Sequence, residues 1–286
     1  MNEQVRRLQE ELHRSHYVAE EGLATVVHLA QRLASPLLLE GPAGVGKTAL
    51  AKALAAVRSV NLVRLQCYEG LDASQALYDW DYPKQLLTAR TAFTDGAVKQ
   101  EALYSEAFLI ERPLLRALRE RPAPVLLIDE VDRADEEFEA LLLEFLSEFQ
   151  ITIPEMGTFR ASEPPIVILT SNRTRDLSDA LRRRCLYFWV DFPTFEQEAA
   201  IISLHVPQIV PNLVKQIVFS VRRLRKLSLL KPPGLAESID FAQALTELGA
   251  QELNEEVIRH TLGCLLKTQE DMDLLKERGF ELLWNT

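Results

Sequence analysis

The segment from Pro36 to Thr48 constrains this chain more than any other. Pro36–Leu39 is an apolar run that reads as a buried strand. It stops at a turn carrying Gly41, Gly44 and Gly46, followed by Lys47, Thr48 and a helix-favouring run from Ala49 to Val57. This is G-x-x-x-x-G-K-T in a strand–loop–helix setting. Glycines let backbone N–H groups turn inward around an anion, and the helix behind them adds its positive end. Lys47 supplies a mobile ammonium for β- and γ-phosphates, and Thr48 a hydroxyl for Mg²⁺. Gly41, Pro42, Ala43, Gly44, Val45, Gly46, Lys47, Thr48 and Ala49 form the expected nucleotide-binding set.

Further short apolar runs follow at 61–66, 125–128, 166–170 and 186–190, separated by helical patterns. Such strands between helices imply an α/β fold, a parallel sheet covered on both faces. Residues 3–14, 20–33, 101–119 and 135–148 read as helices, with Leu103, Ala107, Leu114, Leu115 and Leu118 as core candidates of the third and Pro113 as its possible break. Residues 67–100 show no period and hold Tyr68, Tyr78, Trp80, Tyr82 and Phe93, an aromatic set suited to packing or to a partner. Phe149–Ile153 and Gly157–Ala161 flank Pro154–Met156 as a hairpin. Beyond Asp191–Thr194 only helical patterns occur, so the expected division is an α/β nucleotide-binding domain at 1–193 and a helical lid domain at 194–286.

Val125–Ile128 ends in Asp129–Glu130, two carboxylates at the C-terminal end of a strand, where ligands bind in parallel sheets. Asp129 is placed to hold Mg²⁺ with Thr48, and Glu130 to polarise an attacking water. Neighbouring carboxylates repel, so Mg²⁺ and Lys47 are the expected compensation. The strand at 166–170 leads into Ser171 and Asn172, whose amide can sit between Glu130 and a γ-phosphate. Arg182–Arg183–Arg184 then precede Cys185. Three successive arginines do not all find comfortable partners within the chain. One pointing into a neighbour's nucleotide would be worth about 10³ to 10⁵ in rate.

The chain has 286 residues, 47% hydrophobic, and a net charge of −10. That balance supports a substantial core and argues against a constitutive nucleic-acid binder. Cys67, Cys185 and Cys264 form no paired motif, and the five histidines show no metal-ligand spacing. The N-terminus lacks a signal-peptide pattern and no apolar run approaches the about 18 residues of a membrane span, so a cytoplasmic setting is expected.

In the order phosphate loop, Asp129–Glu130, Asn172, arginine cluster and helical region, the chain resembles an AAA+ ATPase. More narrowly it is similar to the MoxR family and its CoxD-like branch, through residues 36–48, 65–72, 128–133 and 180–186. The resemblance implies a five-stranded sheet in the order 5-1-4-3-2, with the 67–100 segment and the 149–161 hairpin facing the pore of a hexameric ring. ATP would lie between subunits with Mg²⁺. Lys47 and Thr48 would bind phosphate and metal, Asp129 the metal, Glu130 would be the base and Asn172 the first sensor. Arg184, or alternatively Arg183, would be the finger acting in trans, and backbone at Tyr17–Val18 would cradle adenine. The family implies chaperone-like work beside a von Willebrand A domain partner. CoxD-like members resemble factors that help insert metal cofactors into molybdenum hydroxylases of the carbon monoxide dehydrogenase type. A loader or motor acting on nucleic acid is the alternative. The lid stretch Pro233–Asp240 lacks the family's sensor arginine, with Arg222, Arg223 and Arg225 as candidate substitutes.

Overall fold

The computed structural model describes residues 3–95 and 103–283. The end of the expected 67–100 segment and the first two residues of the expected 101–119 helix lie outside the described residues, as does the side chain of Phe93. The chain divides into two compact units. One comprises Met1–Leu8, Glu20–Gly41 and Thr48–Trp189; the other comprises Gln9–Ala19, Pro42–Lys47 and Val190–Thr286.

In chain order the elements are α1 (Glu3–Arg14), α2 (Glu21–Leu33), β1 (Leu37–Glu40), α3 (Lys47–Arg58), β2 (Leu62–Gln66), α4 (Ala73–Ala76), β3 (Tyr78–Trp80) and α5 (Tyr82–Asp95). There follow β4 (Leu109–Glu111), α6 (Pro113–Arg119), β5 (Val125–Asp129), α7 (Glu136–Glu148), β6 (Gln150–Ile153), β7 (Gly157–Arg160), β8 (Ile166–Ser171), α8 (Asp179–Arg184) and β9 (Leu186–Trp189). The remaining helices are α9 (Phe195–His205), α10 (Pro211–Leu224), α11 (Leu235–Glu247), α12 (Glu255–Leu265) and α13 (Gln269–Arg278).

The first unit is built on a parallel sheet in the order β2-β5-β8-β1-β9. These labels differ from the expected 5-1-4-3-2 because four strands outside the sheet are also numbered: β3 pairs antiparallel with β4, and β6 with β7. Every residue of β1 and β5 is buried, as a central strand covered on both faces requires. The two edge strands alternate instead. In β2, Val63 and Leu65 are buried while Arg64 is exposed; in β9, Tyr187 and Trp189 are exposed. Register pairs Gln66 with Asp129 and Glu40 with Ser171, so the C-terminal ends of the strands share one edge of the sheet.

Residues 101–119 do not form one helix. Glu106–Phe108 is a 3₁₀ turn, β4 follows, and α6 begins with Pro113 in its first turn. Proline lacks the N–H a helix interior needs and its ring clashes with the preceding turn, so it opens a helix rather than continuing one. Ala107, expected in the core, is exposed, and its neighbour Phe108 is buried instead. Within 67–95, two short elements, α4 and β3, and one longer helix, α5, do form. Asp72 and Gln75 close a capping box at α4, and the Asp81 carboxylate accepts from Lys84 N in the first turn of α5.

The second unit is helical from α9 to α13, around Ile202, Ile217, Val221, Phe241, Leu245 and Leu262. A charged pair lies inside it. Glu198 accepts both Nη1 and Nη2 of Arg225 at 2.9 and 2.7 Å and the Ser238 hydroxyl at 3.1 Å, while Arg225 Nε donates to the Pro233 carbonyl at 2.7 Å. The side chains are 9% and 0% exposed for Arg225 and Glu198. Removing one member leaves the other charged and dry. Glu198→Ala is expected to destabilise this unit by about 3–5 kcal/mol, measured by denaturant unfolding, well beyond the loss from Glu255→Ala at the exposed Arg259 pair.

Candidate active site

At the shared edge of the sheet, Asp129 closes β5 almost fully buried. Its Oδ1 accepts the Thr48 hydroxyl at 2.9 Å and the Thr170 hydroxyl at 2.6 Å. Its Oδ2 accepts Arg64 Nε at 3.1 Å and Nη2 at 2.6 Å. Glu130 follows with φ 54° and ψ 49°, a left-handed conformation that costs a non-glycine residue roughly 1–3 kcal/mol. That turn is held by Glu130 N donating to Thr170 Oγ1 at 2.9 Å. Thr170 therefore bridges the two acidic residues, accepting from one and donating to the other.

The Glu130 carboxylate has three partners within its own unit. Oε1 accepts Asn172 Nδ2 at 3.3 Å; Oε2 accepts Gln66 Nε2 at 3.1 Å and pairs with Arg133 Nε at 3.0 Å. Asn172 and Glu130 thus meet as the sequence suggests. Two counter-charges lie within the sheet unit: Arg64 faces Asp129 and Arg133 faces Glu130. Beneath them Cys67 is buried, and that burial, reinforced by Asp129, Asp132 and Glu130, pushes its thiol up to about 12. Cys67 is a packing residue, not a nucleophile.

Asp132 fixes the segment that carries Asn172. Its Oδ1 accepts Asn172 N at 3.2 Å, and Oδ2 accepts Thr174 N at 2.8 Å and the Thr174 hydroxyl at 2.7 Å. Burial alone would raise its pKa, but the donors from Thr174 and Asn172 outweigh it and hold the carboxyl below its ordinary value. Of the three arginines in α8, Arg182 is spent on Glu40, a buried acid, at 3.1 and 3.3 Å. Arg183 and Arg184 are exposed and make no ion pair among the described residues. Cys185 beside them is raised to about 12 by burial.

The phosphate loop, Pro42–Lys47, belongs to the helical unit. Gly44 and Gly46 have φ of 77° and 92°. The Gly44 carbonyl accepts Leu235 N at 2.7 Å, and a side chain at Gly44 would place Cβ 2.8 Å from the Gly234 Cα. Only glycine fits at either side of that approach. Lys47 is buried, with Nζ 2.7 Å from the Pro42 carbonyl. Tyr17 is half-buried, and a Cβ on Gly46 would lie 3.9 Å from its ring; Val18 is half-buried too. Each of the three candidate lid arginines has a partner in its own unit. Arg225 is held by Glu198, Arg223 Nη1 donates to the Leu282 carbonyl at 2.7 Å, and Arg222 Nη1 to the Pro193 carbonyl at 3.0 Å.

These residues fit a nucleotide with Mg²⁺. Thr48 and Asp129 offer two adjacent hard oxygen donors, the preference of that cation. The left-handed glycines and the buried Lys47 make a cradle for phosphate. Sequence reasoning did not single out Arg64, Gln66, Arg133, Asp132 or Thr170. The available signal was the two polar residues, Arg64 and Gln66, alternating with apolar ones on a short strand.

Asp132→Asn tests the anchoring of Asn172. Because the folded pKa of Asp132 is lowered, its stabilisation is present above the ordinary carboxylate range and fades as pH falls through the folded value. The variant is expected to lose about 1–3 kcal/mol at pH 7 and to show a flatter acid limb in thermal unfolding measured against pH.

Among curated proteins, the chain is 26% identical over 245 residues to the gas vesicle ATPase GvpN of Haloferax mediterranei, covering 79% of this chain and 70% of that protein. It is 30% identical over 270 residues to chaperone protein ClpB 2 of Parasynechococcus marenigrum, covering 87% of this chain but only 27% of that protein. Among solved structures, a variant of Thermotoga maritima RuvB superposes with TM-score 0.50 at 18% identity, over 90% of this chain and 68% of that one, which bears on the fold alone. Residues 36–185, more than half of the chain, match the family described as AAA domain (dynein-related subfamily), and to that family this chain belongs.

Proposed function

We propose that this chain is an ATP-hydrolysing, MoxR-type AAA+ chaperone that remodels a partner protein complex. Hydrolysis follows from the AAA domain together with an intact catalytic set. The observation that carries the reading is the paired arrangement of Thr48 on Asp129 and Asn172 on Glu130, 2.9 and 3.3 Å apart.

Each residue has a defined task. The loop glycines and Lys47 bind and orient the phosphates, and Thr48 and Asp129 would hold Mg²⁺, which supplies charge neutralisation when bound. A carboxylate offers about four acceptor sites. Glu130 Oε1 accepts only Asn172 among its described donors, which leaves room for a water beside that amide. Glu130 takes the proton of that water as it attacks, and Asn172 holds its orientation. Arg184, with Arg183 as the alternate, reaches the nucleotide of a neighbouring copy in a hexameric ring and neutralises charge on the transferring phosphoryl group.

The finer reading is help with metal-cofactor insertion into a molybdenum hydroxylase of the carbon monoxide dehydrogenase type, beside a von Willebrand A domain partner. It rests on the MoxR- and CoxD-like residues at 36–48, 65–72, 128–133 and 180–186. The relatives GvpN and ClpB, one named an ATPase and the other a chaperone, fit the coarser part of it. The net charge of −10 disfavours a motor on nucleic acid. Among the described residues no helix is long and apolar enough to cross a membrane.

Glu130→Gln is expected to lower ATP turnover about 10²- to 10⁴-fold while retaining ATP binding, read by phosphate release and by nucleotide binding. Specific activity of the unaltered chain should rise with concentration. Arg184→Ala and Glu130→Gln, each inactive alone, should regain part of the activity when mixed. No recovery in mixtures shown to assemble would sink the trans finger. The Glu130→Gln protein held in ATP should retain a von Willebrand A protein or a hydroxylase subunit in a pull-down; nucleic-acid enzymes there would favour the alternative.

A further inference from the structure

Asp129 has little acceptor capacity to spare. Oδ1 already takes two hydroxyls, and Oδ2 takes two guanidinium donors from Arg64. Arg64 reaches it from the neighbouring edge strand, where Gln66 is the residue in register with Asp129. The Arg64 side chain is 49% exposed and that of Asp129 4%, so a cation sits at the mouth of a buried acid. The same Nη2 donates to Gln66 Oε1 at 2.5 Å, which fixes the fork from its outer side. Here a planar guanidinium makes two bonds to one carboxylate oxygen and a third to an amide, a pattern that a lysine cannot reproduce.

We infer that Arg64 is a positioning residue that competes with Mg²⁺ for Asp129 and so makes tight metal binding conditional on nucleotide. The inference rests on the reading of Asp129 as the Mg²⁺ carboxylate. A guanidinium bonded to the carboxylate offsets its negative field and uses acceptor sites a hydrated cation would take. The β- and γ-phosphates, with charge of their own, supply what the acid then lacks. Arg64 is thus a counter-ion to Asp129 that holds metal binding back until phosphate charge is added beside the acid.

Binding of a non-hydrolysable fluorescent ATP analogue, with excess EDTA and with saturating Mg²⁺, gives the factor by which metal tightens nucleotide binding. By linkage the nucleotide tightens metal binding by the same factor. Arg64→Ala is expected to lower this factor about threefold to tenfold, because metal then binds Asp129 without help from the phosphates, and Arg64→Lys, a point charge without the fork, by less. An unchanged or larger factor in both variants overturns the inference, and if Arg64→Ala does not fold, Arg64→Lys decides alone. Asp129→Asn separates the two layers of the argument. Its factor should fall towards one. If it does not, the metal assignment of Asp129 has failed; if it does while the Arg64 variants show no fall, only the competition has failed.

Discussion

A buried carboxylate cannot be left alone, and in this fold Asp129 is that carboxylate. Removing a charge from water costs several kcal/mol unless hydrogen bonds and counter-charge replace the lost hydration. Asp129 obtains them from three elements: Thr48 at the start of α3, Thr170 on β8 and Arg64 on β2. Its own carbonyl accepts Cys67 N at 2.8 Å, just past the end of β2. The helix behind the phosphate loop and three adjacent strands are therefore tied to one side chain, and the hydroxyl that would meet a metal is positioned by the acid that would share it.

Glu130 depends on that arrangement. Its left-handed backbone is a strained conformation, and strain persists only where the surroundings over-determine it. Thr170 supplies the restraint, accepting the Glu130 N–H and donating its own O–H to Asp129. The turn directs the Glu130 side chain to Gln66, Arg133 and Asn172. Asp132 then holds the backbone of Asn172 and Thr174. Strain at one residue, satisfied by a threonine, thus sets where the Glu130 carboxylate and the Asn172 amide, proposed above as base and orienting group, meet.

Much of this was legible in the sequence. The glycine spacing before Lys47–Thr48, the apolar run ending in Asp129–Glu130 and the position of Asn172 all depend on local pattern, and local pattern survives folding. Arg64 and Gln66 were not legible as site residues, because their partners are set by which strands become neighbours; Arg133 reaches Glu130 locally, through the 3₁₀ turn at Val131–Arg133. Until β2 lies beside β5, Arg64 is one charged residue on a short strand. The reading of 101–119 as one helix failed where an antiparallel β3–β4 pairing, invisible locally, competed with helical propensity and Pro113 moved the helix start.

The pattern of lid arginines follows from the buried pair in the helical unit. Arg225 cannot leave Glu198 without stranding a fully buried acid, so it serves as an anchor. What it anchors is the Pro233 carbonyl, and Ser238, bonded to the same acid, holds the first turn of α11. Between these two fastenings lies Gly234, whose Cα packs on Gly44 of the phosphate loop, with Leu235 N bonded to the Gly44 carbonyl. A loop glycine at φ 77° and a helix-start glycine meet so closely that neither tolerates a side chain. The link from this helix to the phosphate loop is made by main chain, and the buried ion pair fixes its position.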